Sequence, residues 1–177
     1  NSGTDKFIES FKAEIKNQRK RSLIFMSFLL AMSVIYISVS VRMDSLTRTG
    51  YHLCVIGFIL GALYIYFRYR ALPDSFYTMP VSDFIDKVEM NLKFMKLFDW
   101  LIVVPLLLIL GTGGGMIFIT RLLQYTDNFI TLLLIWIVFF VSLSIFGFYA
   151  SKKNWKKEYK SLFEEFQKFK ESMLNNW

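Results

Sequence analysis

One cysteine and one histidine in 177 residues exclude several classes of protein at once. Cys54 has no second thiol in the chain to pair with, and His52 alone cannot build a His-rich metal site, so disulfide scaffolds and zinc modules are out. No metal and no cofactor is expected. Nucleophilic catalysis is equally poorly served: serines are present, but the one base lies at a segment boundary with no acid in sequence reach, so no catalytic residue is assigned. The chain reads as non-enzymatic.

Charge is missing from four long stretches. Residues 22–41, 51–67, 100–120 and 129–150 contain no Asp, Glu, Lys or Arg. Each is long enough to cross about 30 Å of hydrocarbon at about 1.5 Å per residue, although the second needs little tilt or local thinning of the bilayer. Proton-coupled carriers and voltage sensors require a titratable or charged group at depth, and none is available there. The whole chain is 54% hydrophobic and 20% charged, too apolar for an ordinary soluble domain and too charged for disorder. The expected fold class is therefore an all-α integral membrane protein, with four transmembrane helices as two helical hairpins and amphipathic cytoplasmic helical extensions.

Cations are distributed unevenly around these runs. Eighteen of the 21 Lys and Arg fall in residues 1–21, 68–99 and 151–177, whereas the other two connections hold only Arg42, Arg48 and Arg121. By the positive-inside rule both termini and the central loop face the cytoplasm, which places the chain in the inner (plasma) membrane as a multi-pass protein. The same rule accounts for the net charge of +7, so no nucleic-acid partner is expected. The first run is longer than the apolar core of a secretory signal, and is read as a retained helix.

The extensions carry helical periodicity. In residues 151–177, Trp155, Tyr159, Leu162, Phe166, Phe169 and Met173 recur at intervals of 4, 3, 4, 3 and 4, a heptad-type seam. It packs on its own chain, lies at the lipid surface, or binds a second copy or another protein. In the central loop Val81, Phe84, Val88, Leu92 and Met95 predict a helix running into the third span, with Asp83 and Asp86 early and Lys93 and Lys96 late, as the helix dipole prefers. Phe7, Ile8, Phe11 and Ile15 form a shorter stripe continuous with the first span.

Small residues mark the expected crossings. Gly57 and Gly61 form a small-xxx-small pair with Cys54 one turn earlier, a pattern that lets helices approach closely in lipid. Ser27 and Ala31 in the first span, and Ser144, Gly147 and Ser151 at the fourth, add weaker versions. The third span is the unusual one: Pro105 precedes Gly111, Thr112, Gly113, Gly114 and Gly115. Each glycine costs on the order of 1 kcal/mol relative to alanine in a water-exposed helix, so the run is either a close crossing or a hinge exposing backbone and Thr112 to an aqueous path. A phosphate loop is excluded because no Lys-Ser/Thr follows and no strand precedes.

Three polar features remain. Asp99, at the inner boundary of the third span, reads as a cap or solvated interface residue, the other uses being cation coordination or a pair with Arg68 or Arg70. Arg48, His52 and Asp127 form a candidate outer cluster for an anion or for pH sensing. Tyr64, Tyr66, Tyr69, Trp100 and Trp155 fit an interfacial aromatic belt. Beyond the lipid bilayer, the expected partner is the chain itself or another protein, bound through the cytoplasmic helices. The function this implies is an assembly, scaffold or regulatory subunit; the alternative is an oligomeric channel or small-solute conduit lined or gated by the glycine-rich segment.

Overall fold

The computed structural model of the chain describes residues 2–69, 95, 97–126 and 128–174. Within them lie four helices: α1 (Ser2–Ser40), α2 (Ser45–Arg68), α3 (Leu97–Leu122) and α4 (Phe129–Leu174). Each contains a stretch long and apolar enough to cross a membrane. The helix expected over residues 81–99 and the loop around it lie outside the described residues, apart from Met95 and the first turn of α3.

The lengths of α1 and α4 follow from what their sequences omit. No glycine or proline occurs from Thr4 to Thr49, and Gly147 is the one such residue between Phe129 and Leu174. Nothing breaks the hydrogen-bond ladder where apolar sequence gives way to charged sequence, and each helix continues as one rod of 39 and 46 residues respectively. α1 stops at a tight turn in which the Arg42 and Met43 amides reach back to Val39 and Ser40. Asp44 then caps α2, its carboxylate accepting from the Thr47 amide at 3.1 Å and the Thr47 hydroxyl at 2.6 Å. Asn128 caps α4 in the same way, accepting from the Thr131 amide at 3.1 Å. α3 remains helical through both Pro105 and the glycine run, and no glycine among the described residues has a positive φ.

α2 is the central element, packed against α1 on one side and α3 on the other, while α4 leans mainly on α3. Tyr36 of α1 meets the rings of Tyr51 and Phe58 of α2 edge-on, each at 5.2 Å between centroids. Buried side chains are few and concentrate on α2: Thr47, Cys54, Val55 and Ala62. By contrast most large residues within the apolar stretches of α1 and α4 point outward, Phe28 being 57% and Phe146 69% exposed. A continuous apolar exterior of this kind matches a multi-pass membrane bundle. Three serines inside the apolar segments return their hydroxyls to their own helix, Ser33 to the Leu29 carbonyl, Ser38 to Val34 and Ser144 to Phe140.

Candidate functional site

The best-defined arrangement of functional residues is the seam where α3 meets α2 and α4. Along α2 the small residues Gly50, Cys54, Gly57 and Gly61 recur at 4, 3 and 4 and so share one face. Against that face α3 runs antiparallel, with Thr120 beside Thr47, Gly113 beside Gly50, Leu110 beside Gly57, and Asp99 beside Tyr64.

At its middle level the seam is backbone against backbone. A Cβ placed on Gly113 would lie 2.8 Å from the Gly50 carbonyl oxygen and 2.9 Å from Cys54 Sγ; one placed on Gly50 would lie 2.8 Å from the Gly113 carbonyl oxygen. Neither position has room for a side chain. Gly57 is closed by Leu110, whereas Gly61 meets Leu29 and Leu106 at ordinary contact distances of 3.4 and 3.5 Å. The tight part of the α2 face thus runs from Gly50 to Gly57, toward the N-terminus of α2 from the expected Gly57–Gly61 pair.

Gly111, Gly114 and Gly115 face α4 instead. The ring of Phe140 covers Gly111, and the indole of Trp136 lies over Gly114 and Gly115, which would place a Cβ 2.8 and 2.7 Å from its atoms. Trp136 Nε1 also donates to the Gly111 carbonyl at 2.9 Å. The run expected as a crossing or a hinge is therefore an unbroken helix covered on two sides, and Thr112 alone of its five residues is exposed. Pattern matching missed Trp136 and Phe140, although their spacing of four complements that of Gly111 and Gly115 on the partner helix.

The Thr47 end of the seam is polar. Thr47, buried, donates to Asp44, and its hydroxyl lies 3.0 Å from that of Thr120, which itself donates to the Met116 carbonyl at 2.6 Å. Arg48 and His52 both reach Ser40: Arg48 Nε donates to the Ser40 carbonyl at 3.3 Å and its Nη2 to the Met43 carbonyl at 2.9 Å. Arg48 thereby ties the start of α2 to the end of α1 and to the turn that follows it. His52 Nε2 sits 3.4 Å from Ser40 Oγ, and Asp127 lies outside the described residues. The hydroxyl of Thr47 and then its amide hold the Asp44 carboxyl below its ordinary range.

At the opposite end of the seam the reading of Asp99 as a solvated or capping residue is corrected. Asp99 is buried, at 4% exposure, forms an ion pair with Arg68 and accepts from the Tyr64 hydroxyl at 2.9 Å. Arg68 Nη1 also donates to that hydroxyl at 2.6 Å, and its guanidinium lies 5.9 Å from the Tyr64 ring and 5.6 Å from that of Tyr69. The reason is positional. Asp99 sits in the first turn of α3, opposite the last turn of α2, where Tyr64 and Arg68 stack one turn apart. Tyr64, read from sequence as a belt aromatic, is thereby part of the seam.

The amphipathic seam of the tail is represented among the described side chains by two members. Trp155 is half-buried and Phe166 fully enclosed, as is Phe11 of α1. The side chains of Tyr159, Leu162, Phe169 and Met173 lie outside the described residues. Phe166 is therefore packed within its own chain. No group of three or more potential metal ligands occurs among the described residues. Comparison with models of known protein families, with curated proteins and with solved structures finds no match for this chain.

Proposed function

We propose that the chain is a non-enzymatic inner-membrane protein that works as an assembly or regulatory subunit. Its four spans cross as two hairpins, α1 with α2 and α3 with α4, both termini lie in the cytoplasm, and the helical extensions present surfaces to a second copy or another protein. The observation that carries this reading is the continuity of α1 and α4. At about 1.5 Å per residue the 46 residues of α4 extend roughly 70 Å, more than twice the hydrocarbon thickness of about 30 Å. A rod anchored in lipid that projects a charged helical face this far is suited to holding or sensing a partner, and the enclosed Phe11 and Phe166 give the extensions a packed base.

The test is site-specific photocrosslinking at Glu9 and Glu171, both exposed on the extensions, with lipid-facing Val138 as the control. A discrete adduct at the first two positions and none at Val138 supports the subunit reading. Absence of any adduct, with a monomer in mild detergent, contradicts it. One observation favours a second reading: Thr112 presents a hydroxyl on the exposed face of an otherwise apolar helix, where symmetric copies of the chain could line a conduit. Solute flux through proteoliposomes, altered by Thr112→Val, would transfer the assignment to that reading.

A further inference from the structure

The contact pairs place several cations at one end of the bundle. Leu29 lies beside Gly61, Tyr64 beside Asp99, and Trp100 beside Phe148, so Arg21, Arg68 and Lys152 sit at a common level. Just beyond that level α1 carries Lys12, Lys16, Arg19, Lys20 and Arg21, and α4 carries Lys152, Lys153, Lys156 and Lys157, all exposed. Between Lys152 and Lys157 there is no acidic residue, and between Lys12 and Arg21 only Glu14.

These cations are ordered by helical geometry. At roughly 100° per residue, Lys12, Lys16, Arg19 and Lys20 fall within an arc of about 100°, beside the arc that holds Phe11, Ile15, Gln18 and Ser22. The burial pattern agrees, Phe11 being enclosed and the other three partly covered while the four cations are exposed. On α4 the four lysines fall within an arc of about 140°, away from the seam of Trp155 and Phe166. Each extension thus turns an apolar side inward and a basic side outward.

Depth identifies what the basic side meets. The headgroup layer adds about 5–8 Å to each side of the hydrocarbon, which is four or five residues of helix. Arg19, Lys20, Arg21, Lys152 and Lys153 fall within that distance of the apolar segments ending at residues 22 and 150. Long basic side chains at this depth keep their stems against the apolar region and their charges among phosphates, and an anionic leaflet attracts such segments. A nucleic acid or acidic protein would have to displace headgroups to reach the same charges.

We propose that the outward basic faces of α1 and α4 form a collar that selects anionic phospholipid headgroups, making the bundle dependent on lipid charge. This rests on the membrane reading of the four helices, and the experiment separates the two. The full chain is purified with equimolar phosphatidylglycerol and phosphatidylcholine in neutral detergent, and retained lipids are counted by native mass spectrometry. Wild type should retain the anionic lipid in about tenfold excess, decreasing as salt rises. That excess should fall to near parity in Lys152→Gln/Lys153→Gln/Lys156→Gln/Lys157→Gln and in Arg19→Gln/Lys20→Gln, and persist in the opposite-end control Arg42→Gln. If the quadruple variant loses helicity, Lys153→Gln/Lys157→Gln carries the same test.

Parity in wild type, or an excess indifferent to both sets of substitutions, overturns the proposal. So does parity accompanied by lysine-dependent binding of single-stranded RNA or polyglutamate. Carbonate extraction distinguishes the failures: protein released from membranes contradicts membrane insertion itself, whereas protein that stays in the pellet without lipid selectivity contradicts only the collar.

Discussion

Trp136 Nε1 donates a hydrogen bond to the Gly111 carbonyl at 2.9 Å, and the same indole covers Gly114 and Gly115. One side chain thereby fills the groove that the glycines open and supplies a donor to the backbone they leave accessible. α4 is fixed on α3 at this point. Trp136→Phe keeps most of the ring and removes the donor, with an expected cost of about 1 kcal/mol, whereas Trp136→Ala empties the groove and should cost about 3–5 kcal/mol. Unfolding in detergent with increasing dodecyl sulfate measures both; equal effects would show that the hydrogen bond and the ring do not contribute separately.

Glycine positions should divide into intolerant and tolerant ones. Gly113→Leu places a side chain against the Gly50 carbonyl and Cys54, with an expected loss of at least about 1–3 kcal/mol from overpacking. Gly147 has nothing within 4 Å of where its Cβ would lie, so Gly147→Leu should change stability by less than about 0.5 kcal/mol. The ratio of folded protein after detergent extraction and heating compares the two. Similar losses would contradict the close α2–α3 approach.

The ordering of these sites was only partly legible in the sequence. The four long apolar helices could be read because residues 22–41, 51–67, 100–120 and 129–150 contain no charge, as segments able to cross hydrocarbon must. The start of α2 was less visible. Ser45, Thr47, Arg48 and Thr49 look like a polar loop by hydropathy, yet Asp44 caps a helix there and Thr47 turns its hydroxyl toward Thr120. The glycines announced close approach without saying to what, because a missing side chain carries no information about its neighbour. Which helix covers them depends on Trp136 and Phe140, whose bulk complements the glycines only once α3 and α4 are set antiparallel. Asp99 illustrates the converse, since a carboxylate at a boundary is ordinarily solvated and only the register of α2 against α3 brings Arg68 and Tyr64 to it.

The Arg68–Asp99 ion pair should behave as a unit. Asp99→Leu removes the carboxylate that faces Arg68 and should cost about 3–5 kcal/mol, while Arg68→Met/Asp99→Leu together should recover most of the loss. Tyr64→Phe, which removes the shared hydroxyl, should cost about 1 kcal/mol. A double-mutant cycle of thermal stability in detergent is the measurement, and additive losses would contradict the pairing.

Acid sensitivity is expected at the opposite end. The Asp44 carboxyl is held below its ordinary value of 3.8 by the Thr47 hydroxyl and amide. A depressed folded-state value means the stabilisation is fully present above the unfolded value and is lost as pH falls through the folded one. The stability difference between wild type and Asp44→Ala should therefore be constant above about pH 5 and shrink as the solution is acidified below about pH 4. A difference that stayed constant through this window would contradict the cap.

The most direct measurement is the side of the membrane on which each end of the helices lies. In a Cys54→Ser background, single cysteines at Asn17, Asn128 and Asn154 are exposed to a membrane-impermeant maleimide on intact cells and again after permeabilisation. Asn128→Cys should label in intact cells, with Asn17→Cys and Asn154→Cys labelling only once the membrane is opened. Labelling of Asn17→Cys together with Asn128→Cys in intact cells, or of all three alike, would contradict four spans with both termini inside.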